Sequence, residues 1–308
     1  MVKIVNKKGC EKKDLKNNYW IIENDSISSQ NRIVANAYLK VLKLANKSEA
    51  TIDKYRSVIE RFLIDCPKNL DELYPEDVHT WLKHRFGDKK ERTQELILAV
   101  LSGFFKFCLN EDYIERTLTK NRWRPNIPKS LPKYLNDHEL ARVKLQAERL
   151  PLRDRALIEF LFSSGCRRSE VVGLNVEHLD ISERTAQVMG KGRKLREVHF
   201  SEETALLLND HLLNHPDHEP ALFISKFNKR LGPQGVYSIC RKLGNRAELP
   251  QNLSPHCCRH TFATSMLARG ADLQFIGEEL GHYDLNTTRI YARIPSEEIM
   301  GEYRKRME

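Results

Sequence analysis

A proline-rich, basic segment in the middle of the chain limits most strongly how the chain can fold. Residues 116–135 contain Pro125, Pro128 and Pro132, six lysines and arginines, and no acidic residue. Proline lacks the backbone donor that helices and inner strands need, so this segment is predicted to be an extended linker. The periodic patterns on its two sides are therefore predicted to form separate domains.

The N-terminal part, residues 29–115, has the apolar spacing of a helical bundle. One amphipathic helix is predicted over 31–46, and Ser48 is placed to cap a second. Pro75 suits the first turn of a third helix ending near Gly87, and a fourth is predicted over 93–109. Residues 1–28 are polar and weakly periodic, so they are predicted to be a tail or a short irregular lead.

The C-terminal part, residues 136–308, combines helices with a few strands. Asn136 and Glu139 have the spacing of a capping box at its start. Helices are predicted over 136–148, 152–164, 201–214, 233–246, 256–269, 272–280 and 285–293. Strands are predicted over 185–189 and 197–200, joined by a basic hairpin turn, with a third over 221–225. The predicted fold class is mainly α with a small antiparallel β-sheet.

The charge balance favours a polyanionic partner. The net charge is +9 and the pI is about 9.1, which is typical of nucleic-acid-binding proteins. A merely basic soluble protein remains the alternative. We expect contacts with DNA phosphates from basic residues on the helical faces, in the linker and in the hairpin turn. These residues are Lys54, Arg56, Lys89, Lys90, Arg122, Arg124, Arg193 and Lys194.

Other functional classes have little support in the sequence. No run approaches the roughly 20 apolar residues of a membrane span, and the lysine-rich N-terminus lacks the apolar block of a signal peptide. Seven scattered cysteines predict free thiols in a reducing, cytoplasmic setting. No glycine-rich phosphate loop or acidic metal motif is found, so no cofactor is expected. The spacing of His211, His215 and His218 could suit a metal, but an exposed helix end before Pro216 is favoured.

The chain carries the residue types that attack on a phosphodiester requires. Guanidinium groups suit its oxygens, imidazoles and a lysine suit proton transfer, and a phenol suits the nucleophile. Each alone has an ordinary explanation as a core, capping or solvated residue, but their joint presence favours catalysis. These residues are Arg167, Lys191, His256, Arg259, His282 and Tyr291.

Four segments occur in the order and spacing of the tyrosine recombinases, the family of phage integrases and Xer-type and Cre-like enzymes. They are Ser-Gly-Cys-Arg-Arg-Ser-Glu-Val at 164–171, Gly-Lys-Gly at 190–192, His-Cys-Cys-Arg-His-Thr-Phe-Ala-Thr at 256–264, and Leu-Gly-His at 280–282 followed by Tyr291. The helical N-terminal part also resembles the core-binding domain of this family. The resemblance therefore covers nearly the whole chain and implies a mixed α/β catalytic domain after the linker.

The resemblance also decides between two adjacent arginines. The family places an acidic residue three positions after its first catalytic arginine, and Glu170 lies three after Arg167 rather than Arg168. Glu170 is then expected to orient Arg167, and His260 is expected to have a supporting role. Cys258 stands where the family more often has leucine, and a small apolar side chain suits that inward position.

The resemblance implies a site-specific recombinase that cuts and rejoins DNA through a 3′-phosphotyrosyl intermediate, without metal or ATP. Tyr291 would be the nucleophile, with nearby cations favouring its phenolate, and Lys191 the general acid for the leaving 5′ oxygen. His256 would assist proton transfer, and His282 would hydrogen-bond a nonbridging oxygen. Arg167 and Arg259 would hold the phosphate oxygens.

The family also implies the partners. They are double-stranded DNA with inverted-repeat core sites, three further copies of the chain in a homotetramer on two DNA sites, and accessory DNA-binding proteins in some systems. The tail at 294–308 is expected to dock on a neighbouring protomer. Two alternatives remain: a catalytically silent, sequence-specific DNA-binding regulator, and a type IB-like topoisomerase that relaxes DNA without sequence preference.

Overall fold

The structure is a computed structural model, and it describes residues 18–128, 132–190, 194–216, 218–281, 288, 290 and 291. The chain divides into two compact units, Met1–Lys129 and Ser130–Glu308. The architecture is mostly helical with one small antiparallel sheet, which confirms the predicted fold class. No helix in the described ranges is both long enough and apolar enough to cross a membrane.

Four α-helices build the first unit: α1 (Ser29–Leu44), α2 (Glu49–Asp65), α3 (Pro75–Phe86) and α4 (Glu91–Asn110). Their starts follow the predicted signals. The Ser48 side chain accepts a hydrogen bond from the Thr51 amide at 3.3 Å, and proline occupies the first turn of α3. The apolar faces of the four helices meet in a core centred on buried aromatic rings, among them Phe62, Trp81, Phe104 and Phe105.

Chain segments before α1 and after α4 also pack against the core of this bundle. Ile22 and Ile27 are buried in its core, and the Asn36 side chain bonds both backbone polar groups of Ile22. Leu118 is also fully buried, and the Trp123 ring stacks on His79 at 4.8 Å. Apolar side chains thus fix parts of the lead and of the linker that composition alone describes as irregular.

The second unit contains seven α-helices in its described residues. They are α5 (Asp137–Ala147), α6 (Leu152–Ser164), α7 (Arg168–Gly173), α8 (Glu202–Leu213), α9 (Pro233–Arg246), α10 (Pro255–Ala268) and α11 (Leu273–Leu280). The predicted capping box at Asn136 is present: its side chain accepts from the Glu139 amide, and the Glu139 carboxylate accepts from the Asn136 amide. Helix α6 is buried along most of its length and lies at the centre of the unit's core.

The sheet has three antiparallel strands, β1 (Leu179–Asp180), β2 (Thr185–Met189) and β3 (Leu195–His199), in that order. The two predicted hairpin strands are confirmed, with Gln187 opposite Glu197. The predicted third strand at 221–225 is wrong. That segment makes only isolated bridges, because its end turns back in a tight loop in which the Ser225 amide bonds the Lys229 carbonyl.

Candidate functional site

The site begins where α6 ends. Gly165 has a left-handed backbone with φ of +60°, which lets the chain leave the helix and reach Arg167 within two residues. A Cβ atom at Gly165 would lie 2.5 Å from the Phe262 ring and 2.9 Å from a Leu280 methyl group. The glycine therefore permits both the turn and the close packing of α6 against α10 and α11.

Arg167 is held by Glu170, as the register argument predicts. One oxygen of the buried carboxylate accepts from the Arg167 amide and the other from its Nη1 atom, both at 2.7 Å. Arg167 Nη2 also donates to the Gly281 carbonyl at 3.2 Å. The guanidinium is half-buried, whereas Arg168 is exposed. These bonds give the Arg167 side chain a fixed orientation.

Arg259 lies in α10 and is almost completely buried. Its Nη1 atom donates to the Gly165 carbonyl at 2.8 Å, and its Nη2 atom donates to the Leu280 carbonyl at 2.6 Å. Burial, and then the charge of Arg167, lower the pKa of Arg259 to about 10, so it still carries its charge at neutral pH. His256 lies one turn earlier in the same helix and is exposed.

These side chains line an open cleft of about 410 Å³. Its cationic walls and the first turn of α10 suit an anionic group such as a phosphate. Loss of solvation and the charges of Arg259 and Arg167 lower the pKa of His256, which favours a neutral imidazole there. The lining residues are Arg167, Arg168, Ser169, Tyr237, Ser254, Pro255, His256 and Arg259.

Tyr291 is buried, with 1% of its surface exposed, and its Oη atom lies 2.8 Å from His260 Nδ1. Burial raises the pKa of Tyr291 to about 12, although Arg259 and Arg167 oppose this. Arg259 and Arg167 do favour the phenolate, as expected, but desolvation outweighs their two charges, so the phenol stays protonated at neutral pH. His260, not His256, contacts the phenol, and the two imidazole rings lie 4.3 Å apart.

The sequence analysis missed Arg196, which completes this cluster from β3. Its Nη2 atom donates to Glu170 Oε2 at 2.8 Å, so Arg167 and Arg196 share one buried carboxylate. Its Nη1 atom donates to the Glu279 carbonyl. A signal was available in the strand alternation, because Arg196 lies on the same face as buried Val198. A charged residue in the inward phase of a strand indicates a buried partner.

Three arginines thus bind three consecutive carbonyl groups at the end of α11. Arg196 contacts that of Glu279, Arg259 that of Leu280, and Arg167 that of Gly281. The last carbonyls of a helix lack partners within the helix, and its C-terminal end favours positive charge. These hydrogen bonds connect the C-terminal end of α11 to α7, α10 and β3. In the sequence, His282 follows directly after the last of the three residues, Gly281.

The remaining predicted residues fall into three groups. Lys191, Arg193 and His282 lie outside the described residues. Arg56 is half-buried and paired with Asp53 and Glu60. The other predicted phosphate contacts are exposed, namely Lys54, Lys89, Lys90, Arg122, Arg124 and Lys194.

The histidine cluster has a structural explanation. His211 and His215 each place Nε2 near a backbone carbonyl, those of Leu222 and Ala221, at 3.0 and 2.9 Å. Within the described ranges, no group of three or more histidine, cysteine, aspartate or glutamate side chains has the arrangement of a metal site. These rings hold the segment after α8 in place.

Two family models match this sequence. Residues 133–298 match the phage integrase family, and residues 35–115 match the SAM-like N-terminal domain of phage integrases. The first match lies in the second compact unit and contains the whole cleft.

Individual proteins extend the similarity along the chain. Tyrosine recombinase XerC of Leptospira interrogans is 32% identical over 283 residues, which cover 87% of this chain and 90% of that protein. Tyrosine recombinase XerA of Pyrococcus horikoshii is 31% identical over 277 residues, covering 87% and 92%. The solved structure of XerH recombinase bound to a palindromic difH substrate, a post-cleavage complex, aligns with a TM-score of 0.72 at 22% identity, covering 93% of this chain and 92% of that one.

Proposed function

Because the chain belongs to the phage integrase family of tyrosine recombinases, enzymes that cut and rejoin DNA, we propose that Tyr291 is its nucleophile and the arginine-lined cleft its phosphate site. The observation that carries this proposal is that Arg167 and Arg259 line the same cleft. Both guanidiniums are fixed by backbone carbonyls within the unit that contains Tyr291. Such fixed donors need little reorganisation when charge develops on a phosphate.

The proposed reaction is a transfer of a phosphoryl group to a phenol and back. The Tyr291 oxygen attacks the scissile phosphorus, a bond to phosphorus forms, and the bond to the 5′ oxygen breaks. The phenol loses its proton and the leaving 5′ oxygen gains one, from Lys191 in this proposal. Attack by the 5′ hydroxyl of another strand reverses these steps, so the bond energy is conserved and no nucleotide is consumed.

The two arginines would stabilise the nonbridging oxygens as charge builds on them. Forked guanidinium donors suit two oxygens of one phosphate better than an ammonium group does. His256 would assist proton transfer from its exposed position in the cleft, and His282 would donate to a nonbridging oxygen. His260 would have a supporting role, holding the protonated Tyr291 phenol in its buried position before DNA binds.

Burial of the phenol has a consequence for this mechanism. With 1% of Tyr291 exposed, a DNA phosphate cannot reach its oxygen in this arrangement. We therefore propose that DNA binding accompanies a local rearrangement that brings the Tyr291 oxygen to the cleft. The free protein would then be a weak nuclease, because its nucleophile is both buried and protonated.

The partner we propose is double-stranded DNA with inverted-repeat core sites. The exposed lysines and arginines of the first unit, including Arg122 and Arg124, would supply sequence-independent phosphate contacts. Strand exchange requires four cuts, so we propose a homotetramer on two DNA sites, with residues 294–308 contacting a neighbouring protomer. Where the recombination site is longer than the core, we propose that accessory DNA-binding proteins take part.

A strand-exchange assay tests this function. Duplexes tiled from the DNA flanking the gene would first be screened for specific binding, and two copies of the bound site would then be incubated with protein in EDTA without nucleotide. We expect recombinant products from the specific site only. Relaxation of supercoiled plasmid without any site would favour the topoisomerase, and tight specific binding without strand cutting would favour the regulator.

A further inference from the structure

We propose that Arg196 is a positioning residue for the reaction: it holds the Glu170 carboxylate and the end of α11 so that the Arg167 guanidinium faces the phosphate. This inference rests on the function proposed above. Arg196 lies outside the cleft lining and is not among the residues that the family motifs identify. In this proposal Arg196 contacts neither DNA nor Tyr291 and acts through Glu170 and α11.

The first argument is the division of the Glu170 carboxylate between two guanidiniums. The carboxylate is fully buried, and Arg196 is 13% exposed. Arg196 occupies Oε2 together with the Arg167 amide, which leaves Oε1 for Arg167 Nη1. Without Arg196, the Arg167 guanidinium would be the one cation among the described residues that still contacts the carboxylate directly, and it would be drawn toward both oxygens. Its orientation toward the cleft, and the charge it presents there, would change.

The second argument is the support of α11. Arg196 Nη1 binds the Glu279 carbonyl, and the Arg196 stem packs closely against Gly281, where an added Cβ would lie 2.6 Å from its Cδ. Arg167 binds the carbonyl of that same glycine. Arg196 therefore touches both anchors of Arg167, the carboxylate of Glu170 and the α11 terminus.

The third argument is that packing alone does not require an arginine here. The Arg196 Nε atom is buried and has no hydrogen-bond partner among the described residues, which is costly for the fold. A buried ion pair is often no more stabilising than apolar side chains of similar volume. Arg196 lies opposite Val188 in the sheet, where an apolar side chain would also fit. A role in positioning Arg167 explains why a guanidinium occupies this position instead.

The test compares two substrates that differ in charge. One carries the natural phosphodiester at the cut site, and the other carries a neutral methylphosphonate, which needs less cationic stabilisation. Single-turnover formation of the covalent adduct would be measured for the wild type, Arg196→Met and Arg196→Lys. Arg230→Met is the matched control. Like Arg196, Arg230 donates to backbone carbonyls, here those of Val172 and Leu174, and to a side-chain oxygen, that of Asn175, but it makes no hydrogen bond to Glu170 or α11 among the described residues.

We expect Arg196→Met to lose on the order of 10²-fold in rate on the phosphodiester, as misplacement of a group that binds the reacting phosphate can cause. It should lose much less on the methylphosphonate. Arg196→Lys, which keeps a cation beside Glu170, should lie between it and the wild type. Arg230→Met should change both rates by the same factor.

Equal losses on the two substrates for both Arg196 variants would overturn the inference, since a purely structural defect does not depend on substrate charge. If Arg196→Met does not fold, the comparison of the rate losses on the two substrates for Arg196→Lys decides whether the inference holds. Failure of the proposed function is distinguishable, because the wild type would then form no adduct with either substrate.

Discussion

His260 Nδ1 lies 2.8 Å from Tyr291 Oη in a buried contact between α10 and the proposed nucleophile. Burial lowers the pKa of His260 to about 4 and raises that of Tyr291 to about 12. At neutral pH the contact therefore joins a neutral imidazole to a neutral phenol, and the proton stays on Tyr291 because its oxygen is far more basic than the His260 nitrogen. The pair keeps the phenol protonated until the rearrangement that we propose on DNA.

The stability of the protein should decrease in acid because of His260. The pKa of its imidazole is the ordinary 6.5 in the unfolded chain and about 4 in the folded one. Between these values the unfolded state binds more protons, so the free energy of unfolding falls as pH falls from 6.5 to 4, by up to about 3 kcal/mol from this group. Chemical denaturation across this range measures the slope.

Replacement of His260 by glutamine provides the comparison. The variant should have a shallower dependence on pH between 6.5 and 4. A residual slope should come from His211, whose pKa burial also lowers, and from His256, whose pKa is lowered by partial desolvation and by the charges of Arg259 and Arg167. Identical slopes for the variant and the wild type would show that His260 does not stay neutral when folded.

Gly165→Ala should destabilise the second unit more than an ordinary glycine substitution does. The left-handed backbone alone costs about 1 kcal/mol for alanine, and the clash with Phe262 and Leu280 adds about 1–3 kcal/mol. Because the Gly165 carbonyl binds Arg259, adduct formation should also decline. Thermal melting and single-turnover cleavage check the two effects.

Gly270→Ala is the matched control for the backbone contribution. Gly270 also has a positive φ, +87°, but an added Cβ there meets no heavy atom of the described residues within 4 Å. It should cost about 1 kcal/mol and leave cleavage intact. Equal destabilisation by the two substitutions would contradict the close packing around Gly165.

The salt dependence of DNA binding should identify which basic residues neutralise phosphates. Lys54 and Lys90 are exposed, so replacement of either by glutamine should reduce the slope of log affinity against log salt by about 0.9. Arg56 is held at 2.8 Å by Asp53 and at 3.2 Å by Glu60, so Arg56→Gln should change the slope less. Titrations at several salt concentrations measure the slopes. Unchanged slopes for both variants would exclude Lys54 and Lys90 from the DNA interface.

Features encoded by neighbouring residues were predictable from the sequence. Ser48 and Asn136 cap helices through amides three residues away, and Gly165 ends α6 through its own backbone conformation. The hairpin strands were predictable for the same reason, because their alternation and the glycines between them are local patterns.

Features that depend on distant pairings were not predictable. Arg196 meets Glu170 across 26 positions, Arg259 meets Gly165 across 94, and Arg167 meets Gly281 across 114. The motifs list the catalytic residue types, but they contain no information on how deeply a phenol is buried. The state of Tyr291 therefore became clear only from its packing.

Covalent trapping tests the central claim most directly. Wild type, Tyr291→Phe and Tyr237→Phe would be incubated with nicked duplexes of the bound site and resolved on denaturing gels. Tyr237 is the matched control because it is a tyrosine that lines the cleft with Arg167 and Arg259. The account predicts a protein–DNA adduct that is absent only from Tyr291→Phe. An adduct that survives Tyr291→Phe, or that disappears only in Tyr237→Phe, would contradict it.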